Sequence, residues 1–274
     1  MHFLAARQGF TQEINQRNKQ INLAKAALYI AQEEYPDLEI DDYLNALDTM
    51  AVEIKERLPS QQYPLRIIQT INQYLYEDLG FTGNEVNYYD PRNSFLNDVI
   101  DRRTGIPITL SLIYLEIAKR LEFPMVGIGM PGHFLIRPDF DEVGIYVDVF
   151  NQGEILFTQD CEAKLSQIYH QPVELHPSFL VPVENRRFLA RILTNLKFIY
   201  LNEHQDLKAL GTIDRLLLLF PDTPIELRDR GLVYYQLKRW RESRQDLKEY
   251  LCHRPQAEDA VIIRQILGQI EESL

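Results

Sequence analysis

The chain has 274 residues, 45% hydrophobic and 25% charged, enough apolar material for one large domain or two smaller ones with a real core. A formal net charge of -11 creates a field that repels duplex nucleic acid and anionic lipid, so neither is expected as a partner. Its two cysteines, Cys161 and Cys252, show no CxxC and no Cys/His spacing suited to zinc, which argues against a disulfide scaffold and gives no metal or cofactor signal. The N-terminus lacks the apolar run of a signal peptide and no stretch reaches ~18 uninterrupted apolar residues, so the expected location is the cytoplasm.

In chain order, residues 21–35 place Ile21, Ala24, Leu28, Ala31 and Tyr35 on one helical face and stop at Pro36. Residues 43–58 repeat the rhythm with Tyr43, Leu47, Met50, Ala51, Ile54 and Leu58. A third helix opens at Pro64, where the missing N–H has no helical partner to lose, and aligns Leu65, Ile68, Ile71, Leu75 and Leu79. The stretch "GFTGNEVNYYDPRN", 80–93, is turn punctuation and predicts a loop. Next, "TGIPITLSLIYLEIAKRL", 104–121, predicts a buried central helix starting at Pro107. From 124 the runs become short and β-rich: "PMVGIGM", "HFLIR", "GIYVDVF" and "GEILF", divided by Pro or Gly turns, predict an antiparallel sheet over about 124–157. After 158 the pattern returns to helix, with Thr158 as the expected cap of "TQDCEAKL".

The tail repeats itself at an offset of 34: Pro221 with Pro255, Tyr200 with Tyr234, Leu193 with Leu227, Ile199 with Val233, Ala209 with Ser243, Ile213 with Leu247. Two helices closed by a proline at a period of ~34 residues are the tetratricopeptide signature. Gly231, Tyr234 and Pro255 occupy its glycine, tyrosine and proline positions, whereas Ser243 and Tyr250 stand where alanine is usual. The first copy carries Lys197 in place of the glycine. Residues 258–272 predict a capping helix. Such pairs stack into a concave wall lined by the first helix of each pair, which makes Asn195, Asn202, Arg228 and Gln236 candidate peptide-binding residues. The expected division is 1–184 and 185–274.

One stretch carries chemistry: "PGHFLIRPDFDEVGIYVDVFN", 131–151. Antiparallel pairing around a turn near 138–143 would set His133 opposite Asp148 and Arg137 opposite Gly144, with opposed side chains on one face. A carboxylate on one imidazole nitrogen fixes the tautomer and leaves the other nitrogen as a base. From spacing alone, a histidine and an aspartate that never meet is the simpler reading.

The order of parts changes this. The segment "YYDPRNSFLNDVIDRRTGIPITLSLIYLEIAKRLEFP", followed by "MPGHFLIR", resembles the bacterial SirB family of the transglutaminase-like superfamily. Its most specific pieces are Asn93-Ser94, Gly105-Ile106-Pro107-Ile108 and Pro131-Gly132-His133-Phe134. The resemblance runs from "ALYIAQEEYPDLEIDDYL" to the last repeat. It implies an α+β fold: a helical N-terminal section, a papain/transglutaminase-like core of central helix against antiparallel sheet, and an all-α tetratricopeptide-like tail. It also implies that His133 falls on the superfamily's catalytic histidine and Asp148 on its catalytic aspartate. Val149 departs from the proline that often follows that aspartate.

The nucleophile is the larger departure. The position that the resemblance assigns to cysteine falls near Pro107 to Thr109, and no cysteine is there. Thiolate chemistry uses a sulfur whose pKa the helix terminus lowers, which proline and isoleucine cannot supply. Thr109 is left as the hydroxyl candidate, requiring activation by an adjacent base, although satisfying backbone groups in the first helical turn is its simpler role. Cys161 is the second candidate, with an idle thiol as its simpler reading. The expectation is therefore a degenerate, non-catalytic transglutaminase-like protein that holds a protein or peptide partner. The alternative is a hydrolase or transferase of protein amide bonds with a substituted or relocated nucleophile.

Overall fold

Helix α1 (His2–Ile14) is followed by α2 (Leu23–Gln32), whose first turn is capped by the Asn22 side chain accepting the Lys25 N–H at 3.0 Å. This computed structural model describes all residues except Met1, Gln62 and Asp141–Val143, together with the side chains of His2 and Phe3. Helix α2 ends three residues before the expected Tyr35. That tyrosine instead turns its hydroxyl to Asp98, 2.6 Å away. Helices α3 (Ile40–Arg57) and α4 (Pro64–Asn72) follow, α4 continuing as a π-helical turn over Gln73–Asp78.

The expected loop at 80–93 is more ordered than its composition implied. It contains β1 (Thr82–Gly83), which pairs in parallel with β2 (Thr104–Gly105), and a 3-10 turn at Pro91–Asn93. Glycine is required at 83, because a Cβ there would stand 2.6 Å from the Phe150 ring. Between β1 and β2 lies α5 (Leu96–Arg102).

Central helix α6 (Pro107–Arg120) buries Pro107 to Tyr114 without interruption, as a helix apolar on all sides must. It packs against α2, α3 and α5, and against two strands of a four-stranded antiparallel meander. The strands are β3 (Met125–Ile128), β4 (Leu135–Pro138), β5 (Ile145–Asp148) and β6 (Glu154–Phe157), in that spatial order. Helix α7 (Thr158–Tyr169) covers the sheet, and Cys161 and Leu165 share an apolar cluster with Ile128, Leu135, Tyr146 and Leu156. Thr158 is not its cap: Asp160 accepts the Phe157 N–H at 2.8 Å, so Thr158 is the first helical residue. The fold is α+β, with the helical N-terminal section and all-helical tail that the sequence implies.

The chain divides into two compact units, Met1–Leu189 and Ala190–Leu274, whereas the expected division was at 184/185. In the second unit the 34-residue offset is written into the backbone. Helices α8 (Asn185–Asn202), α9 (Asp206–Leu219), α10 (Pro224–Gln236) and α11 (Trp240–His253) form two hairpins; α8 and α10 end 34 residues apart, and α9 and α11 both start and end 34 apart. His204 and Lys238, also 34 apart, both take left-handed φ, 55° and 57°. The Gln205 N–H to Tyr200 carbonyl bond and the Arg239 N–H to Tyr234 carbonyl bond are both 2.8 Å. A last helix, α12 (Ala260–Ser273), packs on α11 through Ile263, Leu267 and Ile270.

Candidate functional site

The pairing of β4 with β5 fixes where the hairpin residues lie. Ile136 stands opposite Val147, so Leu135 is level with Asp148, and His133 precedes the strand by two residues. The expected register was therefore out by two, and Arg137 is level with Tyr146 rather than Gly144. A reverse turn explains the slip. Gly132 takes φ 75° and the His133 N–H donates to the Met130 carbonyl at 3.0 Å, which holds the histidine out of the ladder. A shift of two keeps side chains on the same face, so the contact survives. His133 Nε2 lies 2.9 Å from Asp148 Oδ2. The tip of the turn, Asp141–Val143, lies outside the described residues.

Asp148 is fully buried and engaged on both oxygens. Oδ1 accepts the N–H groups of Phe150 (3.1 Å) and Asn151 (3.3 Å), capping the 3-10 turn Val149–Asn151. Oδ2 takes His133, the Asn151 side chain at 2.8 Å, and the Lys164 ammonium from α7. Lys164 also reaches Glu154 at 3.0 Å. Burial by itself would raise the Asp148 carboxyl, but the bonds from His133, Lys164 and Asn151 outweigh it and hold it well below the usual carboxylate range. Lys164 and Asn151 were not legible as site residues, since a lysine on a mixed helix carries no signal of its partner.

The start of α6 is occupied differently. Thr109 is fully buried; its hydroxyl donates to the Asn93 carbonyl at 2.7 Å and accepts the Ile106 N–H at 3.2 Å. Both lone-pair and proton capacity serve the backbone. Cys161 is buried in the sheet–α7 core, where burial, and secondly the charge of Asp160, pushes its thiol up to about 11. Cys252 is exposed. No group of three or more His, Cys, Asp or Glu among the described residues is placed to hold a metal ion, and no described helix is long and apolar enough to cross a membrane.

A family model described as the transglutaminase-like superfamily matches residues 41–194, more than half of the chain. The chain belongs to the transglutaminase-like superfamily. A tetratricopeptide repeat model matches 196–268 of the same transglutaminase-like chain. A "UPF0162 protein" of Xylella fastidiosa (strain 9a5c) is 38% identical over 250 residues, covering 88% of this chain and 87% of the relative. A "UPF0162 protein" of Vibrio cholerae is 34% identical over 190 residues, 69% and 70% of the two chains. "F-box only protein 21" of Homo sapiens is 31% identical over 185 residues, 65% of this chain but 29% of that relative. No solved structure matches.

Within this transglutaminase-like chain the four tail candidates differ in state. Asn202 and Gln236 are exposed at the ends of α8 and α10, and Asn195 is half-buried. Arg228 is not a free groove cation. Its guanidinium donates to Asp229 at 2.7 Å and Asp259 at 3.0 Å and lies over the Tyr250 ring. Charge reversal there would break this network whatever the groove binds, so Arg228 cannot separate a binding role from a structural one.

Proposed function

We propose that the protein is a non-catalytic transglutaminase-like module that binds a protein or peptide segment, with the repeats as a second interaction surface. One observation carries this reading. The only hydroxyl in the stretch Pro107 to Thr109, where the resemblance puts the nucleophile, is that of Thr109, sealed from solvent and committed to Asn93 and Ile106. A hydroxyl nucleophile needs an adjacent base to take its proton, and here a backbone carbonyl takes it. The His133–Asp148 pair supports the same reading, because Lys164 already neutralises the carboxylate that would stabilise an imidazolium. A stretch similar to this core also occurs as a minor part of a longer animal protein, as a module does. Acidic charge on the chain argues against nucleic acid and anionic membranes as partners.

The test is thiol labelling and amide chemistry together. Iodoacetamide near neutral pH should modify Cys252 alone, Cys161 reacting only after unfolding, because the thiolate is the reactive form and Cys161 is held as a thiol. A fluorescent primary amine offered with a glutamine-rich protein should not be incorporated. Rapid labelling of Cys161 in the folded chain, abolished by His133→Ala, would instead establish a relocated cysteine nucleophile.

A further inference from the structure

The loop at 84–90 exposes large side chains: Val86 is fully exposed, Tyr89 59% and Tyr88 36%. Its backbone is nevertheless closely hydrogen-bonded. Asn93, fully buried, donates its side-chain amide to the carbonyls of Asn87 (2.8 Å) and Tyr88 (3.1 Å), and accepts from Asn84 at 3.1 Å. The Asn84 oxygen takes the Asn87 N–H at 2.9 Å, and the Asp90 N–H closes on the Asn87 carbonyl at 3.2 Å. The clasp is anchored in turn by the Thr109 hydroxyl on the Asn93 carbonyl. On the other side the Tyr88 ring meets Phe150 edge-to-face at 6.3 Å, and Phe150 meets His133 at 6.4 Å. The helix start that lacks a nucleophile and the turn that bears the histidine thus brace one exposed loop between them.

Two physical arguments assign that loop a ligand. Exposed apolar side chains grouped on a preordered backbone mark a binding surface, since the ordering cost of association is already met. Tyrosines with asparagines add large, rigid contact area and adaptable hydrogen bonding. The chemistry of the partner follows from charge. Residues 190–274 hold 13 Lys/Arg against 13 Asp/Glu, which leaves 16 against 27 in 1–189, so the whole excess of -11 belongs to the unit that carries the loop. Glu85 is exposed on the loop itself.

We propose that Glu85, Val86, Tyr88 and Tyr89 form the docking surface for an extended, lysine- or arginine-bearing segment of another protein. Its cations lie over the tyrosine rings and pair with Glu85, while its apolar side chains cover Val86. The negative unit steers the approach, and the rings and Val86 decide the register. This proposal rests on the interaction-module reading and names the kind of partner.

The test uses the full chain and a fluorescein-labelled peptide alternating lysine and leucine, with a glutamate–leucine peptide as control, read by anisotropy at physiological salt. The lysine peptide should bind and the glutamate peptide should not. The triple variant Val86→Ser, Tyr88→Ala, Tyr89→Ala should weaken binding by at least about tenfold. Tyr88→Phe with Tyr89→Phe keeps the ring faces and should bind as the parent does. All variants keep the same net charge, so diffuse attraction is constant across them, and circular dichroism checks that each is folded. Absent binding to the parent chain, or equal binding to the alanine variant, overturns the proposal. So does self-association lost in the alanine variant, which would assign the loop to a second copy. Intact mass of the peptide after incubation separates this from the reading it rests on. Cleavage or cross-linking of a bound peptide would refute the non-catalytic assignment and leave the docking surface standing.

Discussion

Asp148 holds more donors than the orientation of one imidazole needs. In a working triad the carboxylate is the main compensation for the imidazolium that forms on the base. Here a fixed cation, Lys164, shares the same oxygen, so the carboxylate joins the His133 turn, the β5 end and α7. Asp148→Asn should therefore lower stability near pH 7 by about 3–5 kcal/mol, the usual cost of removing one partner from a buried ion pair, measured by urea unfolding. The pH dependence has a definite sign. The folded-state carboxyl lies below its unfolded value of about 3.9, so its contribution is fully present above that value and is lost as pH falls through the folded one. The gap between parent and variant should narrow as pH falls below about 4. A gap that widens on acidification would show that Asp148 is not the stabilising charge.

Periodicity gave α2, α3, α4, α6 and the four strands of the meander, though not α1 or α5, because burial on one face imposes a repeat that composition cannot hide. What it could not give was register and caps, which depend on one or two residues in special conformations. Gly132 at φ 75° and Asp160 under Phe157 moved two assignments. In the tail, Gly231 was legible because the repeat demands it, and the structure shows why: a Cβ there would stand 2.7 Å from Leu247 Cδ2 and 3.3 Å from Asp246 Cβ. Ser243, one of the two residues of this repeat that depart from the pattern, turns its buried hydroxyl to the Gly231 carbonyl at 2.7 Å. Lys197, at the equivalent of Gly231, is held by Glu226 at 2.8 Å and Asp229 at 2.9 Å, a charge cluster no periodicity announces. The two residues at the helix crossing should respond differently to alanine. Gly231→Ala gains up to about 1 kcal/mol of helix preference but overpacks a fully buried leucine at about 1–3 kcal/mol, so its melting temperature should fall. Ser243→Ala loses one neutral hydrogen bond and should cost less than about 1 kcal/mol. The reverse order in a melting comparison would mean that the hydroxyl, not the close approach, holds α10 to α11.

At the scale of the molecule, we propose that the first unit extends past the expected division at 184/185, for a physical reason. The stretch "LVPVEN", 180–185, carries the proline punctuation of a linker, yet it continues the first unit's architecture. Pro182 bridges Ile128 at the edge of β3, and the Val183 N–H donates to the Gly127 carbonyl at 2.8 Å. Beyond it, Asn185 donates to the Ile21 carbonyl at 3.1 Å and Arg186 to the Ile14 carbonyl at 2.6 Å. Phe188, fully buried, packs edge-to-face on Phe134 at 5.1 Å beside Gly127, where no Cβ intervenes. The family match ends at 194, past all of these contacts. A fragment of residues 1–184 thus removes a buried aromatic and leaves the space under Phe134 open, whereas 1–194 keeps it filled. Loss of a buried phenylalanine side chain alone costs about 3–5 kcal/mol, a large part of the stability of a domain this size. The 1–184 fragment should unfold at a markedly lower temperature than 1–194, or bind an apolar dye without heating. Equal melting of the two fragments would show that the first unit is complete without Phe188, and the division expected at 184/185 would then stand.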